Sequence, residues 1–64
     1  MSHIEIKINT NNDAFYNENG EYDPSREVAE ILRSLAESVG EGIPSFEQLT
    51  DINGSSVGTF KHEA

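Results

Sequence analysis

The stretch Asp23–Gly40, DPSREVAEILRSLAESVG, decides the fold. Val28, Leu32, Leu35 and Val39 recur at i, i+4, i+7 and i+11, and Ala29, Ile31 and Ala36 widen the stripe. That period predicts a helix over residues 24–40 with one buried face. Asp23 has the chemistry of an N-cap, and Pro24 suits the first helical position, where an N–H has no partner to lose. Gly40 suits the position after the last apolar residue. The opposite face carries Glu27, Glu30, Ser34, Glu37, Ser38 and Glu41, with Arg26 and Arg33, and is expected to point to solvent. Arg26–Glu30, Glu30–Arg33 and Arg33–Glu37 stand at helical-neighbour spacing, so the two arginines partly neutralise this face.

Upstream, Ile4, Ile6 and Ile8 alternate with Glu5, Lys7 and Asn9. This is the period of a strand over residues 3–9, with an isoleucine face suited to cover the helix stripe. Residues 10–22, TNNDAFYNENGEY, are rich in Asn, Asp and Gly and keep neither period, so they are expected to form an acidic loop. A loop this long in so short a chain invites a functional reading. Two accounts of its aromatics stand side by side. In one, Phe15, Tyr16 or Tyr22 tucks beneath the helix and pins the loop. In the other, Tyr16 or Tyr22 stands exposed among Asp13, Glu18, Glu21 and Asp23 as an anchor for a partner, as tyrosine often does.

Downstream, Gly42 and Pro44 break the helix. Residues 46–62 then read as a hairpin around Asn53–Gly54, a dipeptide in which both residues tolerate positive φ. Phe46 and Leu49 are out of phase, as are Val57 and Phe60, which predicts a bulge near Gly58 or a longer turn. A turn in NGSS would set Ile52 opposite Val57 and Leu49 opposite Phe60. The predicted architecture is α+β, a single β-α-β-β domain over residues 1–64: a three-stranded antiparallel sheet with one helix on one face. The simplest order places the last strand between the first and the second. The alternative makes strands one and two parallel neighbours.

With 64 residues and 34% hydrophobic side chains, the chain has material for one small core and no deep cavity. No cysteine is present to brace it with a disulfide or a thiolate metal site. The first residues lack the pattern of a secretory signal and no apolar run has membrane-spanning length, so a cytoplasmic, monomeric protein is expected. Twelve acidic residues against four basic ones give a net charge of −8. That field disfavours direct contact with nucleic acid or anionic lipid and favours a basic protein partner, or serves solubility alone.

Signatures of chemistry are missing from the sequence. The serines lie in no nucleophile motif, and Gly54 and Gly58 do not form a phosphate loop. The acidic loop does not have EF-hand spacing. His3 and His62 have no metal-ligand spacing and are read as exposed terminal residues. No enzyme, cofactor or metal is expected. The residues singled out as partner contacts are Asp13, Tyr16, Glu18, Glu21, Tyr22, Asp23, Glu27 and Glu30. A mimic of DNA would gather these carboxylates on one face free of arginine; an accessory interaction module need not.

IEIKINT with its following Asn-rich stretch and AF, the helix EVAEILRSLAE and the closing LTDINGSSVGTF together resemble a family of small acidic proteins of bacteriophages and prophages. The resemblance runs from Ile4 to Phe60. In size, charge and origin the chain is also similar to anti-CRISPR proteins that inhibit type I effectors by imitating DNA. The resemblance implies a phage-encoded inhibitor of CRISPR immunity that acts in the bacterial host. Its implied target is the DNA- or PAM-reading surface of a large Cascade subunit, in the type I-C system.

Overall fold

The computed structural model describes residues 2–63. Strand β1 spans His3–Ile8, helix α1 Ser25–Glu41, β2 Phe46–Thr50 and β3 Ser56–Glu63, with a 3-10 turn at Asp13–Phe15. The sheet order is β1-β3-β2 and both pairings are antiparallel. The last strand is therefore central, as the sequence predicts. The molecule is elongated, with extents of 44 × 20 × 17 Å.

Helix α1 begins one residue later than its stripe suggests and runs past Gly40. Pro24 already has helical torsions, φ −79° and ψ −10°, and its carbonyl accepts the Val28 N–H. No side chain caps this end, so Asp23 remains exposed without the predicted capping bond. Gly42, with φ +151°, ends the helix by donating its N–H to the Val39 carbonyl. The stop falls where a backbone only glycine tolerates is needed.

The core consists of Phe15, Ile31, Leu35, Leu49, Val57 and Phe60, with Ile8, Ala14, Val28 and Val39 packed against it. The buried line on α1 is rotated from the apolar stripe. Leu32 and Ala36 are exposed, whereas Glu27 is buried and Ser38 half-buried. The expectation that Glu27 and Ser38 face solvent is thus corrected. Both are drawn inward by hydrogen bonds to the hairpin. Ile52 donates its backbone N–H to Glu27 Oε2 at 2.7 Å, and Ser38 Oγ donates to Glu47 Oε1 at 2.7 Å. A buried carboxylate with a backbone donor costs far less than an unpartnered one.

The hairpin register also differs from the sequence expectation. Leu49 faces Gly58 and Glu47 faces Phe60, while Thr50 pairs with Ser56. The shift between Leu49 and Thr50 leaves Val57 without a partner on β2. This bulge allows both Val57 and Phe60, three residues apart, to enter the core. Gly58 meets the main chain of β1 so closely that a Cβ there would lie 1.9 Å from the Lys7 carbonyl oxygen.

On β1 the isoleucines do face the helix side, because Ile6 stands opposite the buried Phe60. Yet α1 packs towards β2, and the edge strand is left uncovered. Ile4 stays 50% and Ile6 45% exposed, and only Ile8 reaches the core.

Candidate functional site

The loop between β1 and α1 is a built structure, not an irregular one. Phe15 is fully buried and anchors it, which realises the pinning account for one of the three aromatics. Its N–H donates to Asn12 O, and its carbonyl accepts the Asp23 N–H at 2.8 Å. Tyr16 and Tyr22 form an antiparallel bridge, with rings edge to face at 5.5 Å. Both rings are exposed, at 43% and 55%, and the Tyr22 hydroxyl pairs with Thr10 Oγ1 at 2.5 Å. Tyr16 and Tyr22 are therefore exposed and not tucked beneath the helix.

Between the tyrosines, Asn17–Glu21 closes a tight turn. Asn17 N–H donates to Glu21 O and Gly20 N–H to Asn17 O, while Asn17 Oδ1 accepts the N–H groups of Asn19 and Glu21. The hairpin turn Asp51–Ser55 repeats this bond for bond. Asp51 N–H donates to Ser55 O and Gly54 N–H to Asp51 O, and Asp51 Oδ1 accepts from Asn53 and Ser55. Gly20 has φ +80° and Gly54 φ +82°, and among the described residues only glycines have positive φ. Each turn is thus a three-residue loop closed by a left-handed glycine, which agrees with the longer turn read from the sequence; positive φ falls on Gly54 and not on Asn53. The shared pattern is Asx-x-Asn-Gly-x. Asn19–Gly20 carries the same dipeptide that marks the second hairpin, so the first turn was open to the same reading.

The two turns differ in what surrounds the first residue. Asn17 is exposed, whereas Asp51 is buried and its other oxygen accepts the Asn12 side-chain amide at 3.0 Å. That amide bond holds the Asp51 carboxyl below its ordinary value of 3.8, with the Ser55 and Asn53 N–H groups adding to the effect and burial opposing it. A depressed carboxylate contributes stability above the unfolded value and loses it as pH falls through the folded one. Wild type and Asp51→Asn are accordingly expected to differ most in melting temperature at neutral pH. The gap should close as pH drops below 3.8. Melting curves from pH 7 to pH 2, on the order of one per unit, measure this.

Of the expected contacts, Glu18, Glu21 and Asp23 are exposed and lie around the tyrosine pair. Tyr16, Glu18 and Asp23 line one shallow depression together with Asn17 and Arg26. Glu21 Oε1 also accepts from the Asn17 amide at 3.3 Å. Glu30 is exposed but bound to Arg33 at 2.5 Å, and these two share a second depression with Asp23 and Arg26. Asp13 stands apart, beside Asp51, Asn53 and Ser55 of the hairpin turn. Glu27 is buried and bonded to the Ile52 N–H, and only its edge lines the depression that holds Glu18 and Asp23. The carboxylates therefore do not gather on one arginine-free face. Glu18 and Asp23 share one depression with Arg26, and Glu21 stands exposed on the same turn as Glu18.

Elsewhere, the β1–β3 register brings His3 opposite Glu63, with Nε2 and Oε2 3.8 Å apart. Among the described residues no group of three or more His, Asp or Glu side chains is placed to hold a metal ion, and no helix is long and apolar enough to cross a membrane. No family model matches the chain, and no curated protein or solved structure is significantly similar to it.

Proposed function

We propose that this protein acts by binding rather than catalysis, as an acidic stand-in for nucleic acid that covers the DNA-recognition surface of a basic protein. The observation that carries this reading is the tyrosine-flanked turn. Glu18, Glu21 and Asp23 project from a loop held by its own backbone bonds and by the buried Phe15. A loop backbone already fixed loses little entropy on binding, and the sign of its carboxylates matches Lys/Arg clusters that otherwise hold phosphates. Tyr16 and Tyr22 supply a stiff aromatic contact beside them. A net charge of −8 speeds encounter with a basic partner. The phage resemblance points to the large subunit of a type I-C Cascade as that partner, met in the cytoplasm of the bacterial host.

The test is a gel-shift competition between this protein and PAM-containing DNA for a type I-C Cascade at two salt concentrations. Wild type is expected to displace the DNA, less effectively at the higher salt. The double reversal Glu21→Lys/Asp23→Lys is expected to abolish displacement while leaving the circular dichroism spectrum unchanged. Full displacement by the double variant rejects the site. An unchanged shift with wild type rejects the target.

A second reading, a phage accessory interaction module without mimicry, draws on Arg26 and Arg33 lying among the acidic residues. Under that reading the DNA complex survives wild type, and a partner captured from host lysate binds with little dependence on salt.

A further inference from the structure

The uncovered edge strand has a pattern that fits a second copy of itself. Among the described residues β1 is a sheet edge, with β3 on one side and no strand on the other. Asn9 N–H donates to Val57 O, continuing the register in which Ile8 faces Gly58. The odd-numbered residues of β1 thus aim their main-chain groups at β3, and Ile4, Ile6 and Ile8 aim theirs at the free edge.

We infer that two copies of this chain pair antiparallel through β1 about a two-fold axis at Ile6, merging their sheets into one. The sequence Ile4-Glu5-Ile6-Lys7-Ile8 is self-complementary in that register. Ile6 meets Ile6 of the second copy and Ile4 meets Ile8, each pair exchanging both N–H···O bonds. Glu5 falls opposite Lys7 twice, at the closer, non-hydrogen-bonded positions where opposite charges attract best. Within one chain these two side chains already lie 3.7 Å apart on the solvent side of the strand. The half-exposed Ile4 and Ile6 would line a shared apolar trough between the two helices, which explains an apolar face that α1 leaves bare. An edge carrying charges normally repels other strands; here the charges match only under self-pairing in this register. This departs from the monomer expected from composition.

Sedimentation equilibrium at about 0.15 M salt, where the Debye length is about 8 Å and the −8 charges of the two copies are largely screened, tests it. Wild type is expected to approach twice 7.1 kDa as concentration rises. Glu5→Lys sets lysine against lysine at both of these cross-strand positions, and Lys7→Glu sets glutamate against glutamate. Each is expected to weaken dimerisation by roughly tenfold or more. An equimolar mixture of the two variants, and the double variant Glu5→Lys/Lys7→Glu, restore opposite pairs and are expected to restore the dimer. A wild type that stays at 7.1 kDa to millimolar concentration overturns the proposal. So does a dimer indifferent to both single reversals, or a mixture that fails to associate although circular dichroism shows both variants folded. Binding of an edge strand from another protein, with the chain itself monomeric, would overturn it as well.

Discussion

Gly58→Ala is expected to unfold the protein. The added Cβ would sit 1.9 Å from the Lys7 carbonyl oxygen, 2.9 Å from its carbon and 3.0 Å from Ile8 Cα. All three are main-chain atoms, so no side chain can swing aside; β1 must move away from β3. The loss then includes the β1 ladder and the seat of Ile8 in the core. Overpacking typically costs about 1–3 kcal/mol, and more where, as here, only main-chain atoms can yield. A single core in a chain below about 70 residues rarely supplies more than about 3–5 kcal/mol. The same substitution at Gly40 is the control. That position is helical, its Cβ would meet nothing within 4 Å, and alanine there should stabilise by about 1 kcal/mol. Urea titrations of both variants read opposite signs. A folded Gly58→Ala chain with an unchanged midpoint would show that β1 is held less tightly than its register implies.

Phe15→Ala is the second large effect. Phe15 is fully buried among α1, β2 and β3 and is the only aromatic of the long loop in the core. Removing a buried phenyl ring costs roughly 3–5 kcal/mol, again comparable with the total. Its consequence extends to function, because the loop carrying Glu18, Glu21 and the tyrosine pair hangs on this side chain. Phe46→Ala is the comparison: that ring is 55% exposed and its removal should shift the midpoint little. In thermal melts Phe15→Ala is expected to show no cooperative transition at about 25 °C or above, and Phe46→Ala a transition close to wild type. A cooperative melt near the wild-type temperature for Phe15→Ala would count against the anchoring role.

The helix, the hairpin and the central place of β3 were legible because each rests on local pattern: a 3.6-residue period, an Asn-Gly pair and the antiparallel preference of neighbours. What escaped was set by partners distant in sequence. Hydropathy puts Glu27 outside; the Ile52 N–H, 25 residues away, brings it in. Ser38 follows Glu47 in the same way. Alternation placed Ile4 and Ile6 on the correct face, but nothing local says where a helix will lie across a sheet, and α1 leaves them bare. The turn inside the loop escaped for another reason. Asn19–Gly20 gave the same signal as Asn53–Gly54, but without the apolar flanks that usually confirm a hairpin. Its tyrosines form the bridge, and polar neighbours hid the symmetry. At the candidate site, the exposure of Glu18, Glu21 and Asp23 was readable from composition, while that of Tyr16 was one of two accounts left open. The outlying position of Asp13 and the intrusion of Arg26 depend on how the loop folds back.

The long, narrow outline changes how the protein moves through solution. Its radius of gyration is 12.8 Å, whereas a compact chain of 64 residues has about 10.7 Å. A value near 13 Å belongs to a compact chain of about 100 residues. One copy will therefore diffuse slowly and leave a gel-filtration column early, with an apparent mass well above its true one. Elution volume confuses an extended monomer with a partly associated one, so only a method that weighs the particle separates shape from stoichiometry.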